Sequence, residues 1–188
     1  KALGLVKDTG DWATTQRNAE RRMRITAAGL NHFTFILDIR DRLTGADLYP
    51  RLRERLAAMP LDFQLMSRRM LDTFGLFCAA GDGHAGEYVG FAAETMPLSG
   101  YDFDGYAARS AARWDEVRAV AEGRVHPADR VIKTSGERAI PIIAAILHKT
   151  RQPELAVNVP NAGLIDNLSA GAIVEVPGLV EEGVLRGQ

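Results

Sequence analysis

Two β-like runs meet at one glycine-led corner, and that corner constrains the fold more than anything else in the chain. Met23-Arg24-Ile25-Thr26-Ala27-Ala28 leads into Gly29-Leu30-Asn31-His32, and Phe33-Thr34-Phe35-Ile36-Leu37 comes next. Apolar, β-branched and aromatic residues on both flanks predict two strands over 23–37. A glycine at the corner lets backbone or ligand approach closely. The next two side chains carry chemistry. The Asn31 carboxamide can grip sugar hydroxyls, or cap the turn. The His32 imidazole can ligate a metal, move a proton, or simply hold the turn by a hydrogen bond.

Downstream, helices are expected where apolar residues recur at helical spacing. One starts near Asp47, carries Leu48, Leu52, Leu56 and Met59 on one face, and ends at Pro60. A second carries Phe63, Met66, Met70 and Phe74 as core filling, with Gly75 as its cap or breaker. Residues 79–88 hold three glycines and read as a loop, and Gly81-Asp82-Gly83 does not open a helix pattern. A long helix over 102–122 has Tyr106, Trp114, Val117 and Ala121 on one stripe. A polar linker comes next at 123–135, then a helix capped by Ser135, with Ile140, Ile143, Ala144 and Leu147 deeply buried. Leu155–Val159 and Ala172–Val176 are strands. Helices and strands without regular βαβ alternation predict the α+β class.

A net charge of −1 gives no general attraction to nucleic acid or to an acidic membrane. No apolar stretch is long enough to span a bilayer. Cys78 is the single cysteine, which excludes an intrachain disulfide and fits a reducing, cytoplasmic setting. Cys78 itself reads as a buried structural thiol. No Gly-x-Gly-x-x-Gly stands after a strand, so the dinucleotide fingerprint is missing.

The corner has company in a fixed order: Asp47-Leu48-Tyr49-Pro50, then Gly81-Asp82-Gly83-His84-Ala85-Gly86-Glu87-Tyr88, then Asn158-Val159-Pro160-Asn161 through Leu168, then Val174-Glu175-Val176-Pro177. From about Ala28 to Val180 this order resembles the C-terminal half of glycoside hydrolase family 4, whose members need NAD and a divalent metal. The resemblance implies an α+β fold similar to the catalytic domain of lactate and malate dehydrogenases, with helices packed on twisted, mostly antiparallel sheets. Residues 1–188 are then the C-terminal catalytic and metal-binding domain, and the N-terminal NAD-binding domain lies outside this chain. Partners are a small-molecule glycoside and that missing domain, with homo-oligomers common in the family.

The implied reaction departs from the two-carboxylate scheme of most glycosidases. Hydride passes from sugar C3 to NAD, a base removes the C2 proton, and the glycosidic bond leaves by elimination. Water adds back and the hydride returns. The cofactors expected are NAD and Mn2+ or another divalent ion. His32, after Gly-x-Asn, is the implied metal ligand. A second ligand is a cysteine outside this chain, so only part of the coordination shell is here. The base is a tyrosine in several members, and Tyr88 is the first choice. A free tyrosine ionises near pH ~10, so a nearby cation is needed. Asp82 and His84 are its rivals, as base or as ligands of sugar hydroxyls. Asn31 and Asn161 are the expected substrate-binding amides. Turn formation explains the Asn158–Asn161 segment equally well. Many members have Ser-Ser-Glu-His where this chain has Ala80–His84. The Gly-Asp-x-His version is similar to the uronidase-type subset, but those place an arginine where this chain has Gly83. Two other readings stand beside this one. One is a 2-hydroxy-acid dehydrogenase of the same superfold, and the other a non-catalytic sugar-binding or dimerisation domain.

Overall fold

Asp11 begins the first described helix, because its carboxylate accepts the Thr14 N–H at 2.8 Å and so satisfies an orphan donor of the first turn. The computed structural model describes residues 4–7, 9–92, 103–127 and 137–188. Helix α1 (Trp12–Arg22) runs straight into β1 (Met23–Leu30), which turns at Asn31-His32 into β2 (Phe33–Asp41). Then come α2 (Tyr49–Ala57), α3 (Leu65–Phe74), the two-residue β3 (Phe77–Cys78), the single helical turn α4 (Asp82–Ala85) and a 3-10 turn at Gly86–Tyr88. After α5 (Phe103–Ala121) and α6 (Ala139–His148), the strands β4 (Gln152–Pro160), β5 (Ile173–Glu181) and β6 (Val184–Gly187) complete the order. The sheet runs β3-β2-β1-β5-β4, with β6 on β5, and every strand pairing among the described residues is antiparallel. The fold is α+β, as expected.

The strand hairpin over 23–41 is in register from Met23↔Asp41 to Leu30↔Phe33, with one shift between Thr26 and Ala27 that leaves Leu37 without an opposite residue. Such a bulge changes which face later side chains take. It lets the hairpin serve two cores. Met23 and Ile39 pack with Leu48, Leu52, Leu56 and Leu71. Phe33 and Phe35 instead meet Met66, Met70, Cys78 and Ala85. The Leu52–Leu56 spacing puts both leucines on one helical face. Tyr49 opens α2; its hydroxyl donates to the Ile36 carbonyl and accepts the Phe77 N–H, tying α2 to β2 and β3. Cys78 is fully buried, and burial pushes its thiol up.

Three expectations need correction. Phe63 and Phe74 are exposed, so only Met66 and Met70 of that set fill the core. Residues 82–88 are helical, because Ala85 is buried and Asp82 is bonded to α3, which draws the segment into a turn. The long helix α5 forms where expected, with Tyr106, Trp114 and Val117 exposed within a compact unit of its own, residues 97–135. Helix α6 is not deeply buried: Ile140 is 75% and Leu147 72% exposed, and only Ala145 is fully covered. The strands β5 and β6 contact one side of α6, which leaves its apolar residues exposed on the other. Ser135 lies outside the described residues. Arg138 occupies the cap position of α6, and the buried Glu154 carboxylate holds it by two hydrogen bonds of 2.8 and 2.9 Å. The strand β6 was not expected. It forms through a two-residue turn, Glu182-Gly183, both at positive φ (53° and 80°), the geometry that matches strand twist. No helix among the described residues is long and apolar enough to cross a membrane.

Candidate functional site

Four segments arrive at one end of the sheet. The β1 strand ends there at the Asn31-His32 turn. The β3 strand, antiparallel to β2 through Phe35↔Cys78, delivers α4 and the 3-10 turn to the same end. The β4 strand ends there at Pro160, opposite Ile173 at the start of β5. Topology alone therefore gathers His32, His84, Tyr88 and the 161–172 loop at a single sheet end.

The turn itself is tight. Two residues join Leu30 to Phe33, and His32 sits at φ 59°, the left-handed region that non-glycine residues rarely enter. Such a conformation is held only where neighbours over-determine it. Here they do. The Tyr88 hydroxyl donates to the Asn31 carbonyl at 2.6 Å, which fixes the peptide plane leading into His32. The Tyr88 ring stacks on Phe33, centroids 5.4 Å apart and 21° from parallel. A Cβ on Gly29 would stand 2.3 Å from the Phe33 oxygen and 2.8 Å from the Thr34 Cα. Glycine is required there for the two strands to approach.

The His32 and His84 rings are 4.4 Å apart, centroid to centroid, and both residues are exposed. His84 Nδ1 also lies 3.8 Å from a Glu87 carboxylate oxygen. The Asn31 carboxamide is exposed and makes no hydrogen bond among the described residues. These side chains are brought together: His32, His84, Tyr88 and Asn31.

Two others are placed differently. Asp82 turns away from the histidines into α3. Its carboxylate accepts the N–H groups of Met66 (2.9 Å) and Ser67 (2.8 Å) and the Ser67 hydroxyl (2.8 Å). Gln64 answers by accepting the Asp82 N–H at 2.9 Å. Asp82 is thus the cap that α3 lacks locally, since Gln64 gives it none. Asn161 is 3% exposed. Its Oδ1 accepts the N–H groups of Leu164 and Ile165, and its Nδ2 donates to the carbonyls of Ile165, Leu168 and Ser169. That amide is fully engaged with its own loop.

The sequence reading missed Thr34 and Glu175. Thr34 is 2% exposed, and its hydroxyl lies 2.7 Å from Glu175 Oε1 and 2.9 Å from the Leu30 carbonyl. The signal for it was a charged residue between two apolar ones, Val174 and Val176, in a strand. In a strand that pattern puts the charge on the opposite face from its neighbours.

A divalent ion of the first transition row fits imidazole ligands. His32 and His84 present two, exposed and adjacent. No group of three or more His, Cys, Asp or Glu able to hold a metal occurs among the described residues.

Known proteins share this fold. Residues 27–186 match the model of the family 4 glycosyl hydrolase C-terminal domain. A 6-phospho-α-glucosidase of Lacticaseibacillus paracasei is 32% identical over 169 residues, covering 79% of this chain and 37% of that protein. The α-glucosidase of Erwinia rhapontici is 23% identical over 205 residues, covering 88% of this chain and 42% of that protein. The chain thus spans about two fifths of the length of these relatives. Among solved structures, the Bacillus subtilis protein lplD is 25% identical with a TM-score of 0.67, over 93% of this chain and 44% of that one. The fold is also that of a 6-phospho-α-glucosidase from gut microorganisms in complex with NAD and Mn2+, at a TM-score of 0.62 and 22% identity over 89% of this chain and 42% of that one. By this match the chain belongs to glycosyl hydrolase family 4, of which it carries the C-terminal domain.

Proposed function

We propose that this chain forms the sugar-facing and metal-facing part of a glycosidase that depends on NAD and a divalent metal such as Mn2+, acting on a small-molecule glycoside. The observation that carries the reading is His32: a histidine held at left-handed φ in a two-residue turn, its ring 4.4 Å from a second imidazole. The reading is supported by family membership and by relatives of this fold in complex with NAD and Mn2+. When bound, such an ion would offset negative charge developing on sugar hydroxyl oxygens.

The chain's own residues do the rest. His32, with His84 beside it, offers imidazole nitrogen to the ion. The Asn31 carboxamide, exposed and unengaged, binds sugar hydroxyls. Tyr88 handles the C2 proton at its phenolic oxygen. In the structure that oxygen donates to the Asn31 carbonyl, an acceptor only. To act as base the phenol must therefore release that bond and first give up this proton to solvent. Asp82 and Asn161, whose polar atoms are engaged with α3 and with the 161–169 loop, contribute by building the platform. NAD binding falls to the portion of the enzyme that the chain does not span. Copies associate as a homo-oligomer in this reading, and the exposed apolar face of α6 is free to be covered.

The test is metal dependence in the enzyme that contains this chain. EDTA should abolish turnover of a nitrophenyl glycoside, and MnCl2 should restore it for wild type but not for His32→Ala. Full turnover in EDTA overturns the reading. Net accumulation of NADH during turnover would instead favour the dehydrogenase.

A further inference from the structure

Four residues form one row across the sheet beneath the histidine corner: Thr34 on β2, Gly29 on β1, Glu175 on β5 and Asn158 on β4. The pairs Gly29↔Thr34, Gly29↔Glu175 and Asn158↔Glu175 set this row. Directly paired residues share a face. Gly29↔Glu175 is the single register pair between β1 and β5 among the described residues. The middle residue has no side chain. Thr34 and Glu175 stand two strands apart, roughly 9–10 Å at the usual strand spacing, and still meet at 2.7 Å over Gly29.

The contact reaches the turn. Thr34 Oγ1 is also 2.9 Å from the carbonyl of Leu30, the last residue before Asn31-His32. The Tyr88 hydroxyl holds the next carbonyl, that of Asn31. The Asn31 carbonyl is thus bonded, and the Leu30 carbonyl lies within reach of the Thr34 hydroxyl, whose single hydrogen is shared between it and the Glu175 carboxylate. A hydroxyl carries one hydrogen and can serve one acceptor well. A carboxylate oxygen beside it fixes the rotor and keeps the Thr34 side chain in place under the turn. On the sheet's long axis this contact joins residues 141 positions apart, so it ties the 152–187 strands to the hairpin at the point where His32 is aimed.

From this geometry we infer that Glu175 is a positioning residue for His32, acting through Thr34 on the turn that carries the imidazole. It rests on the reading of His32 as a metal ligand. Partners that orient a ligand without touching the ion commonly change metal affinity about tenfold or more. Gly29, on this account, is needed twice: for the close approach of β2, and for the Glu175 side chain to cross.

The experiment is an EPR-monitored MnCl2 titration of the enzyme that contains this chain, as wild type, His32→Ala, Glu175→Ala, Glu175→Gln and Thr34→Val. Circular dichroism checks the fold of each. The expected result is binding about tenfold weaker in Glu175→Ala, near wild type in Glu175→Gln, whose carboxamide oxygen accepts the same bond, and as weak in Thr34→Val as in Glu175→Ala. Wild-type affinity in Glu175→Ala overturns the inference, and so does a Glu175→Gln as weak as Glu175→Ala. If Glu175→Ala fails to fold, Thr34→Val decides, and wild-type affinity there overturns it. Equal Mn2+ binding by wild type and His32→Ala overturns the metal reading of the site itself, and is told apart from the other outcomes by that variant.

Discussion

Asn31 and Asn161 occupy turns at the same end of the sheet and were both expected to bind sugar, yet the fold uses them in opposite ways. Asn161 is buried and spends its whole amide on five backbone groups of its loop. Asn31 is exposed; its main chain is held by Tyr88 while its side chain is left over. The two differ in the chain that surrounds them. Asn161 precedes a stretch with no regular structure until β5, so its carboxamide supplies the bonds that a helix or sheet would have made. Asn31 sits inside a hairpin whose ladder already satisfies the neighbouring backbone. At these two turns the amide left over is the one whose neighbouring backbone is already satisfied by the strand ladder.

The largest effect should come from breaking the engaged amide. Asn161→Ala strands the Leu164 and Ile165 N–H groups and three carbonyls, and should cost about 3 kcal/mol of stability. Water reaches part of this loop, which keeps the figure from rising further. Urea denaturation measures it. A loss below about 0.5 kcal/mol would place Asn161 back among residues free for substrate.

Gly29→Ala tests the scaffold of the other turn. The added methyl meets backbone, not a flexible side-chain end, at 2.3 Å. Overpacking of this kind costs about 2 kcal/mol, and the same denaturation series reads it. It should also disturb the His32 turn, so Mn2+ affinity should fall with stability, whereas in Asn161→Ala stability alone should move.

How much of this was legible in the sequence depends on the range of each interaction. The hairpin, α2 and α3 could be read because their signals are local: apolar flanks around Gly29, and Leu52 and Leu56 one helical turn apart. Asp82 could not, since it caps α3 from a position 16 residues past Met66. Glu175 could be read only as a charge turned away from its apolar strand neighbours, and not as the partner of Thr34, which is 141 residues away. The burial of α6 was misjudged because an apolar stripe shows that a face wants cover, and nothing in it says whether this chain provides that cover. The glycines over 81–86 read as a loop, but the carboxylate of Asp82 and the burial of Ala85 fold them into a turn of helix.

Asp41 sharpens the comparison by giving the Asn161 pattern a charge. Its Oδ1 accepts the Leu43 and Thr44 N–H groups, and its Oδ2 meets Arg22 at 2.6 Å. The Leu43 N–H above all, with Thr44 and Arg22 adding to it, holds the Asp41 carboxyl below the usual carboxylate range, against the opposing pull of desolvation. A carboxyl lowered on folding adds stability above its unfolded value of about 3.9, and that stability is lost as pH falls through the folded value. Asp41→Asn keeps the Oδ1 acceptor for both N–H groups and discards the titration. Its urea midpoint should therefore fall less steeply than wild type between about pH 5 and about pH 2. Parallel acid limbs would show that the turn draws nothing from the charge.

Asn31→Ala carries the smallest expected change in stability and the most specific change in function. Nothing among the described residues bonds its carboxamide, its carbonyl remains to accept from Tyr88, and alanine suits the negative φ at that position. The fold should hold to within about 0.5 kcal/mol. A neutral hydrogen bond to a sugar hydroxyl contributes about 1 kcal/mol, so KM for the glycoside should rise roughly fivefold. If KM rises while kcat stays, the amide binds ground state and transition state alike. If kcat falls with KM unchanged, it acts on the reacting oxygens. A destabilisation matching that of Asn161→Ala, with the kinetics untouched, would erase the contrast between the two turns, because both amides would then be parts of the scaffold.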